Sequence, residues 1–352
     1  MIEPSKKIVF LSSFCNESHY KFEAHIINMV MSIFQEKEFI FIGHKKHVLK
    51  TLSLVTKKDK IRLILDKSEN AKECFLFTLK KWLFIKNSYK IHLTYPIPYS
   101  KLFFLFFLLK IDIVFMHSYW RRWTQNKQKI FHWVTLKMLC RLQRGIKIIV
   151  LGNWIYKNIQ NDIFLNIIEK EKINWINHPG QKVRNIKCQN NANQINFGFI
   201  WDQKQPYKFI DPVCLEKIQT TITDLWHNVI IDSRNFIEES DYIKNITESH
   251  YIVVLSAGNA YDYACSGIFI DAIFHQKPII CLKWTMSDYF FEKYGDIGFQ
   301  FNNIQELNKG IKKIHQEHSL TYKKRTKNLK KALKEFNTKS IQGQLKKIML
   351  TK

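Results

Sequence analysis

The sequence predicts an α/β protein of two doubly wound domains, each a mainly parallel sheet with helices on both faces. Short β-branched apolar runs alternate with segments of helical spacing along most of the chain, the mark of repeated strand–helix–strand units. The alternation occurs as two series of similar length. A chain of 352 residues, 46% hydrophobic and 14% aromatic, also has the material for two cores, where a disordered chain would be poorer in both.

Lys7–Ser12 (KIVFLS) reads as the first strand, Glu23–Gln35 as a helix by its apolar spacing, and Phe39–Gly43 (FIFIG) as the second strand. Ile61–Leu65 is a third. Residues 75–86 mix aromatic and basic groups at helical spacing, and Ile91–Thr94 makes a short strand before Pro96 and Pro98 break the chain. Leu102–Met116 is the most apolar stretch, but Lys110 and Asp112 interrupt it. It falls short of the roughly 20 residues that a membrane-spanning helix needs, and reads as a helix ending near Lys110 and then the strand Ile111–His117. A basic, Trp-rich helix covers about 119–144, Gly145 breaks it, and Ile146–Leu151 is the next strand.

The second series begins after about residue 170, with Trp175–Asn177 as a short strand and His178-Pro179-Gly180 as a turn. Ile195–Trp201, Val229–Asp232 and Ile252–Leu255 are strands, with helices over 211–226 and 240–247 between them. A polar loop follows Leu255, Ser266-Gly267 opens a helix, Lys277-Pro278 ends it, and Ile279–Leu282 is the next strand. A helix over 304–315 and a Lys-rich helical tail complete the chain. The expected division is 1–172, 173–318 and a closing helical segment, 319–352.

The loop after Leu255 lies at its strand's carboxyl end, where open α/β sheets bind ligands. A helix that begins with Ser-Gly offers free N–H groups and the positive end of its dipole, which suits a phosphate. Most strand–helix turns bind nothing, so this geometry needs a second signal.

Charge narrows the partners. The chain has 55 Lys+Arg against 30 Asp+Glu, a formal +25, which favours nucleic acid, an acidic membrane surface or phosphorylated ligands. No helix-turn-helix, finger or RNP-like pattern supports nucleic acid. Trp82, Trp120, Arg121, Arg122, Trp123 and Trp133 crowd the first half, and Trp beside Lys or Arg on amphipathic helices fits an anionic lipid surface. The seven cysteines are scattered without a CxxC pair, so neither a zinc site nor a disulfide framework is indicated. The N-terminal apolar run is too short for a signal peptide, and a reducing, cytoplasmic setting is expected.

Several segments run in a fixed order. Phe199-Ile200-Trp201 precedes Gln205-Pro206-Tyr207-Lys208, and Arg234-Asn235-Phe236-Ile237-Glu238-Glu239 comes next. Ser249–Leu255 leads to Ser266-Gly267, Asp271-Ala272 and Gln276-Lys277-Pro278-Ile279, while Asp112–His117 ends a strand of the first half. In this order they resemble the R-P-Y-K-G, R-x-F-I-x-x-E, A-A-D-V-V-V-L-P, S-G-x-x-x-x-A-x-x-x-x-K-P-V-I and D-I-V-H-V-H segments of the GT-B fold glycosyltransferases, specifically the retaining group 1 type of bacterial surface polysaccharide synthesis. The likeness covers most of 110–300. The sequence departs from the pattern at Tyr263 and Asp271, which replace a Glu pair, at Asp202, Gln205 and Phe209 in the Lys208 loop, and at Ser12–Asn16 in place of a glycine-rich loop.

The resemblance implies two Rossmann-like domains with a C-terminal crossover helix. It implies transfer of a sugar from a nucleotide-sugar donor to a glycan or lipid-linked oligosaccharide, in capsule, O-antigen or exopolysaccharide assembly. No cofactor and no metal are expected, so fixed cations and N–H donors must neutralise the leaving diphosphate. Lys208 is the candidate cation, with Ser266 and Gly267 at the helix start. Asp271 would take the ribose hydroxyls and His117 the donor sugar. Arg234 would meet base or phosphate, Lys204 would stand in for the absent arginine, and Tyr263 would pack beside the nucleotide. The expected place is the cytoplasm, peripheral at the inner face of the membrane. Each role has a plain competitor: Lys208 a solvated lysine, His117 a satisfied core histidine, Asp271 a carboxylate on the first turns of a helix. A non-catalytic sugar-nucleotide-binding or assembly protein is the other functional reading, with a nucleic-acid-binding protein behind it.

Overall fold

The computed structural model describes residues 7–12, 19–68, 71–93, 111–116, 145–161, 172–180, 197–199, 229–231, 239–255 and 265–351. By its contacts the chain forms two units, Met1–Pro179 together with Thr338–Lys352, and Gly180–Asn337.

The described helices are α1 (Tyr20–Ile33), α2 (Lys45–Leu52), α3 (Ala71–Phe84), α4 (Asn153–Asn161), α5 (Glu239–Glu248), α6 (Gly267–Phe274), α7 (Thr285–Tyr294), α8 (Ile304–Phe336) and α9 (Thr338–Leu350). The first unit contains β1 (Lys7–Leu11), β2 (Glu38–His44), β3 (Ile61–Asp66), β4 (Ser88–His92), β5 (Ile113–Met116), β6 (Lys147–Leu151) and β7 (Ile173–Ile176). They pair in parallel in the order β3-β2-β1-β4-β5-β6-β7. A parallel sheet covered on both faces needs continuous apolar runs, not alternation. β5 is IVFM and buried throughout, while β1 and β6 bury every residue after their first lysine.

Trp175–Asn177, expected to open the second series, instead belongs to this sheet. Ile173 and Ile176 pair with Ile148 and Leu151, and both are buried. The tail also differs from a single closing helix. α8 runs 33 residues and stays with the second unit, burying Leu329, Ala332 and Phe336. Asn337 then turns extended (φ −69°, ψ 150°), and α9 buries Ile341, Leu345 and Met349 in the first unit. Gln342 donates to Ser32 Oγ at 2.6 Å and Asn177 N–H donates to Gln344 Oε1 at 3.1 Å. Lys147 Nζ donates to the Ile348 carbonyl at 2.6 Å, a cation set where the α9 carbonyls lack partners.

Trp82 is corrected as well. It was expected among the surface aromatics, but it is 1% exposed, with its ring centroid 6.1 Å from that of His92. It occupies the sheet-facing side of α3.

His178 follows β7, buried with its ring 5.6 Å from Phe22. Burial, and then the charges of His19 and His25, push its pKa down to about 3 from the ordinary 6.5. The unfolded chain therefore takes a proton below pH 6.5 that the folded chain refuses until about pH 3. Stability from this group is complete above the unfolded value and drains away as pH falls through that window. Near pH 5 the loss is about 2 kcal/mol relative to neutral pH. Between pH 7 and pH 5 the unfolding free energy from urea titrations should fall by about 2 kcal/mol less in His178→Phe than in the parent chain, the depressed His250 and His275 keeping the rest of the pH dependence in both; an unchanged pH slope in the variant counts against it.

The second unit contains β8 (Phe197–Phe199), β9 (Val229–Ile231), β10 (Tyr251–Val254), β11 (Ile279–Leu282) and β12 (Gly298–Phe301). All are parallel, in the order β12-β11-β10-β8-β9. β10 and β11 are fully buried. Gly298 is obligatory, since an added Cβ would lie 1.8 Å from the Ile279 carbonyl oxygen. Lys277, one of the residues in the expected motif, turns inward and donates to the Thr247 carbonyl at 2.7 Å, closing the carboxyl end of α5 with a cation. Among the described residues no helix is long and apolar enough to cross a membrane.

In each sheet the winding reverses once, between β1 and β4 in the first and between β8 and β10 in the second. At such a point successive loops leave in opposite directions, and a crevice opens at the strands' carboxyl ends.

Candidate functional site

The second sheet brings its buried strand β10 to that edge at Leu255, and the connection 256–264 lies outside the described residues. The chain returns at Cys265, buried, with its thiol pushed well above the ordinary value by burial and then by Asp271. A thiol so held is a packing group, not a nucleophile.

Ser266 begins α6 as an N-cap in extended conformation (φ −79°, ψ 114°), and its Oγ accepts from Phe269 N–H at 3.4 Å. The first four N–H groups at a helix start have no intrahelical partner. Here Phe269 N–H is taken by the cap, and Ser266 N–H donates to Met286 Sδ at 3.5 Å. Gly267 and Ile268 supply the remaining two. Gly267 is exposed, and no atom lies within 4 Å of where its side chain would begin. Among the described residues nothing takes these two amides, and they stand at the positive end of the helix dipole, an arrangement that suits an anion.

Asp271 lies one turn further along α6, half-buried. Tyr242 on α5 donates its hydroxyl to Asp271 Oδ2 at 2.5 Å, and the Tyr242 pKa is held far above 10 by burial first, then by the Asp271 charge. The carboxylate thus ties α6 to α5. Tyr242 and Met286 were not anticipated from sequence. Neither sits in a motif, and each meets the α6 turn only through tertiary packing. Of the sequence-derived candidates, the structure brings together Ser266, Gly267 and Asp271; His117, Lys204, Lys208, Arg234 and Tyr263 lie outside the described residues. Among the described residues no three His, Cys, Asp or Glu side chains are grouped to hold a metal ion.

The first sheet's carboxyl edge holds another group that sequence reasoning missed. Ser12, directly after β1, donates its hydroxyl to Glu23 Oε1 at 2.9 Å, and His47 Nε2 lies 2.8 Å from Glu23 Oε2. All three side chains are fully buried. The one available signal was an acid in the otherwise apolar face of α1.

No protein-family model matches the sequence, and no curated protein matches it. Solved structures do. HepE of Anabaena, solved in complex with UDP, shares 10% identity at a TM-score of 0.62, covering 97% of this chain and 99% of that one. The same protein with UDP-glucose gives 11% identity and 0.62 over the same shares. The glycotransferase of kitacinnamycin gives 9% and 0.54, covering 97% of each chain. The fold is GT-B. At about one identical residue in ten the likeness is carried by backbone path, so it fixes architecture and no side-chain role. In a GT-B chain of this kind, β10 and α6 form one strand-to-helix step beside the reversal of the second sheet.

Proposed function

We propose that this chain is a glycosyltransferase that takes a sugar from a nucleotide-diphosphate sugar, with the diphosphate against the start of α6. The observation that carries this reading is the turn at Ser266-Gly267, exposed at Gly267, with two amides that no described residue takes, beside the second sheet's reversal point. The nearly full-length match to a protein solved with UDP and with UDP-glucose supports it.

In transfer, the bond from the sugar's anomeric carbon to the diphosphate oxygen breaks, and that carbon bonds an acceptor oxygen, which gives up its proton. Negative charge grows on the departing diphosphate. The N–H groups of Gly267 and Ile268 are fixed in place before reaction, so they stabilise that charge without reorganising. Lys208 supplies the cation that a metal-independent site needs for the same oxygens. Asp271 receives ribose hydroxyls, His117 hydrogen-bonds the donor sugar, Arg234 and Lys204 meet phosphate or base, and Tyr263 packs along the nucleotide. The acceptor is a glycan or lipid-linked oligosaccharide of capsule, O-antigen or exopolysaccharide assembly, and transfer is of the retaining kind. The charge of +25 supports a peripheral position at the anionic inner face of a membrane.

A thermal-shift series with UDP, GDP, ADP and CDP tests the binding half. A diphosphate that binds only the folded chain adds about 2.7 kcal/mol of stability at a hundredfold excess over Kd, and UDP is the expected responder. No shift with any of the four removes the reading. Sugar transfer from a panel of UDP-sugars then separates an enzyme from a binding protein. Lys208→Ala should lower kcat/KM by about 10²-fold with an unchanged melting temperature; full turnover in the variant strikes Lys208 from the site.

A further inference from the structure

α3 has an outward face that a helix bathed only in water has no reason to carry. It is anchored inward by Trp82 and the buried Thr78. At roughly 100° per residue, Leu76, Lys80, Leu83 and Phe84 fall on the opposite arc, with Lys81 at its border. Leu76 is 39%, Leu83 50% and Phe84 74% exposed. Lys80 and Lys81 are exposed among them, and Lys86 stands just past the helix end, also exposed. Lys81 Nζ sits 5.6 Å over the Phe77 ring, a cation resting on an apolar neighbour. The only acid in α3 is Glu73, in its first turn. Scattered surface leucines are ordinary, but large apolar side chains gathered on one arc and interleaved with lysines mark an interaction surface.

We propose that this face docks the protein on an anionic lipid surface, with Leu83 and Phe84 entering the headgroup region and Lys80, Lys81 and Lys86 meeting lipid phosphates. Charge decides the occupant. The patch is basic and the chain carries +25, so a second copy would bring lysines against lysines, whereas anionic headgroups complement them. The inference deepens the membrane partner proposed above, supplies a surface where Trp82 cannot serve, and is independent of the nucleotide.

Flotation of the full chain with vesicles of phosphatidylcholine, with and without phosphatidylglycerol, tests it. Binding is expected only with phosphatidylglycerol, and salt should release it. Lys80→Ala with Lys81→Ala should lower the partition coefficient by more than about tenfold, at about fivefold per lysine. Leu83→Ser with Phe84→Ser should lower it by roughly tenfold or more. The matched pair Lys323→Ala with Lys324→Ala on α8, both exposed, should leave it unchanged. Melting temperature and the UDP shift should stay as in the parent chain in every variant, so failed docking and failed donor binding are told apart. The proposal is overturned if the α3 variants partition like the parent, if the α8 pair loses as much, or if phosphatidylcholine alone binds equally. It is overturned too if sedimentation velocity shows self-association that Phe84→Ser abolishes.

Discussion

Gly267→Asp is expected to weaken UDP binding by roughly 10²-fold while leaving the fold as stable as before or slightly more so. The two effects have opposite signs because they draw on different partners of one charge. No acid occupies the first turn of α6, and a carboxylate there interacts favourably with the helix dipole by about 0.3–1 kcal/mol. The space is available, since nothing lies within 4 Å of the position where the side chain would start. Towards a diphosphate the same carboxylate is a like charge. At about 5 Å and an effective dielectric near 20, each pair of unit charges costs about 3 kcal/mol before salt screening. Loss of affinity by unfolding is excluded by the same experiment, because melting in the absence of ligand reports stability directly. Gly267→Ala serves as the size control and should lose far less. Calorimetric titration with UDP reads the outcome, and an unchanged Kd in Gly267→Asp would place the diphosphate elsewhere and undo the proposed site.

The start of α6 was legible in the sequence because its signals are local. A serine whose side chain can cap, a glycine after it and a buried strand before it all lie within one short stretch. The continuous apolar runs of β1, β5, β6, β10 and β11 were legible for the same reason, and they implied parallel sheets. What escaped was decided by partners far along the chain. Asp271 meets Tyr242, 29 residues away, and no spacing rule connects them. Ile173–Ile176 has the look of a strand, but its sheet is chosen by pairing with β6. The lysine-rich tail gave no sign of the break at Asn337, since both sides carry the same apolar punctuation and are split only by which unit buries them. Trp82 shows the limit of composition most directly. Tryptophan among lysines suggested a surface aromatic, yet its position on the α3 arc, opposite Phe84, turns it to the sheet.

Glu23→Ala is expected to lower the free energy of unfolding by roughly 3–5 kcal/mol, the range for removing one partner of a buried polar pair. The carboxylate accepts from Ser12 and holds His47, and all three side chains are fully buried. Deletion therefore takes the carboxyl oxygens from a buried hydroxyl and a buried imidazole nitrogen, and a buried group that loses a partner costs about 1–3 kcal/mol. Glu23→Gln keeps the shape and one of the two acceptor oxygens, so an intermediate loss is expected. Replacing the set by apolar side chains, Ser12→Ala with Glu23→Leu and His47→Leu, should recover part of the loss, because the three polar groups that meet one another are then removed together. Urea denaturation of the series measures this, and a cost below about 1 kcal/mol for Glu23→Ala would mean that water or other groups satisfy the pair. The placement gives the network a consequence beyond stability. Ser12 N–H donates to the Ile42 carbonyl at 3.0 Å, extending the β1–β2 ladder past its last paired residue towards the first sheet's carboxyl edge. That edge should loosen in Glu23→Ala, while the UDP shift, proposed to report on α6 in the other unit, persists at temperatures where the variant stays folded.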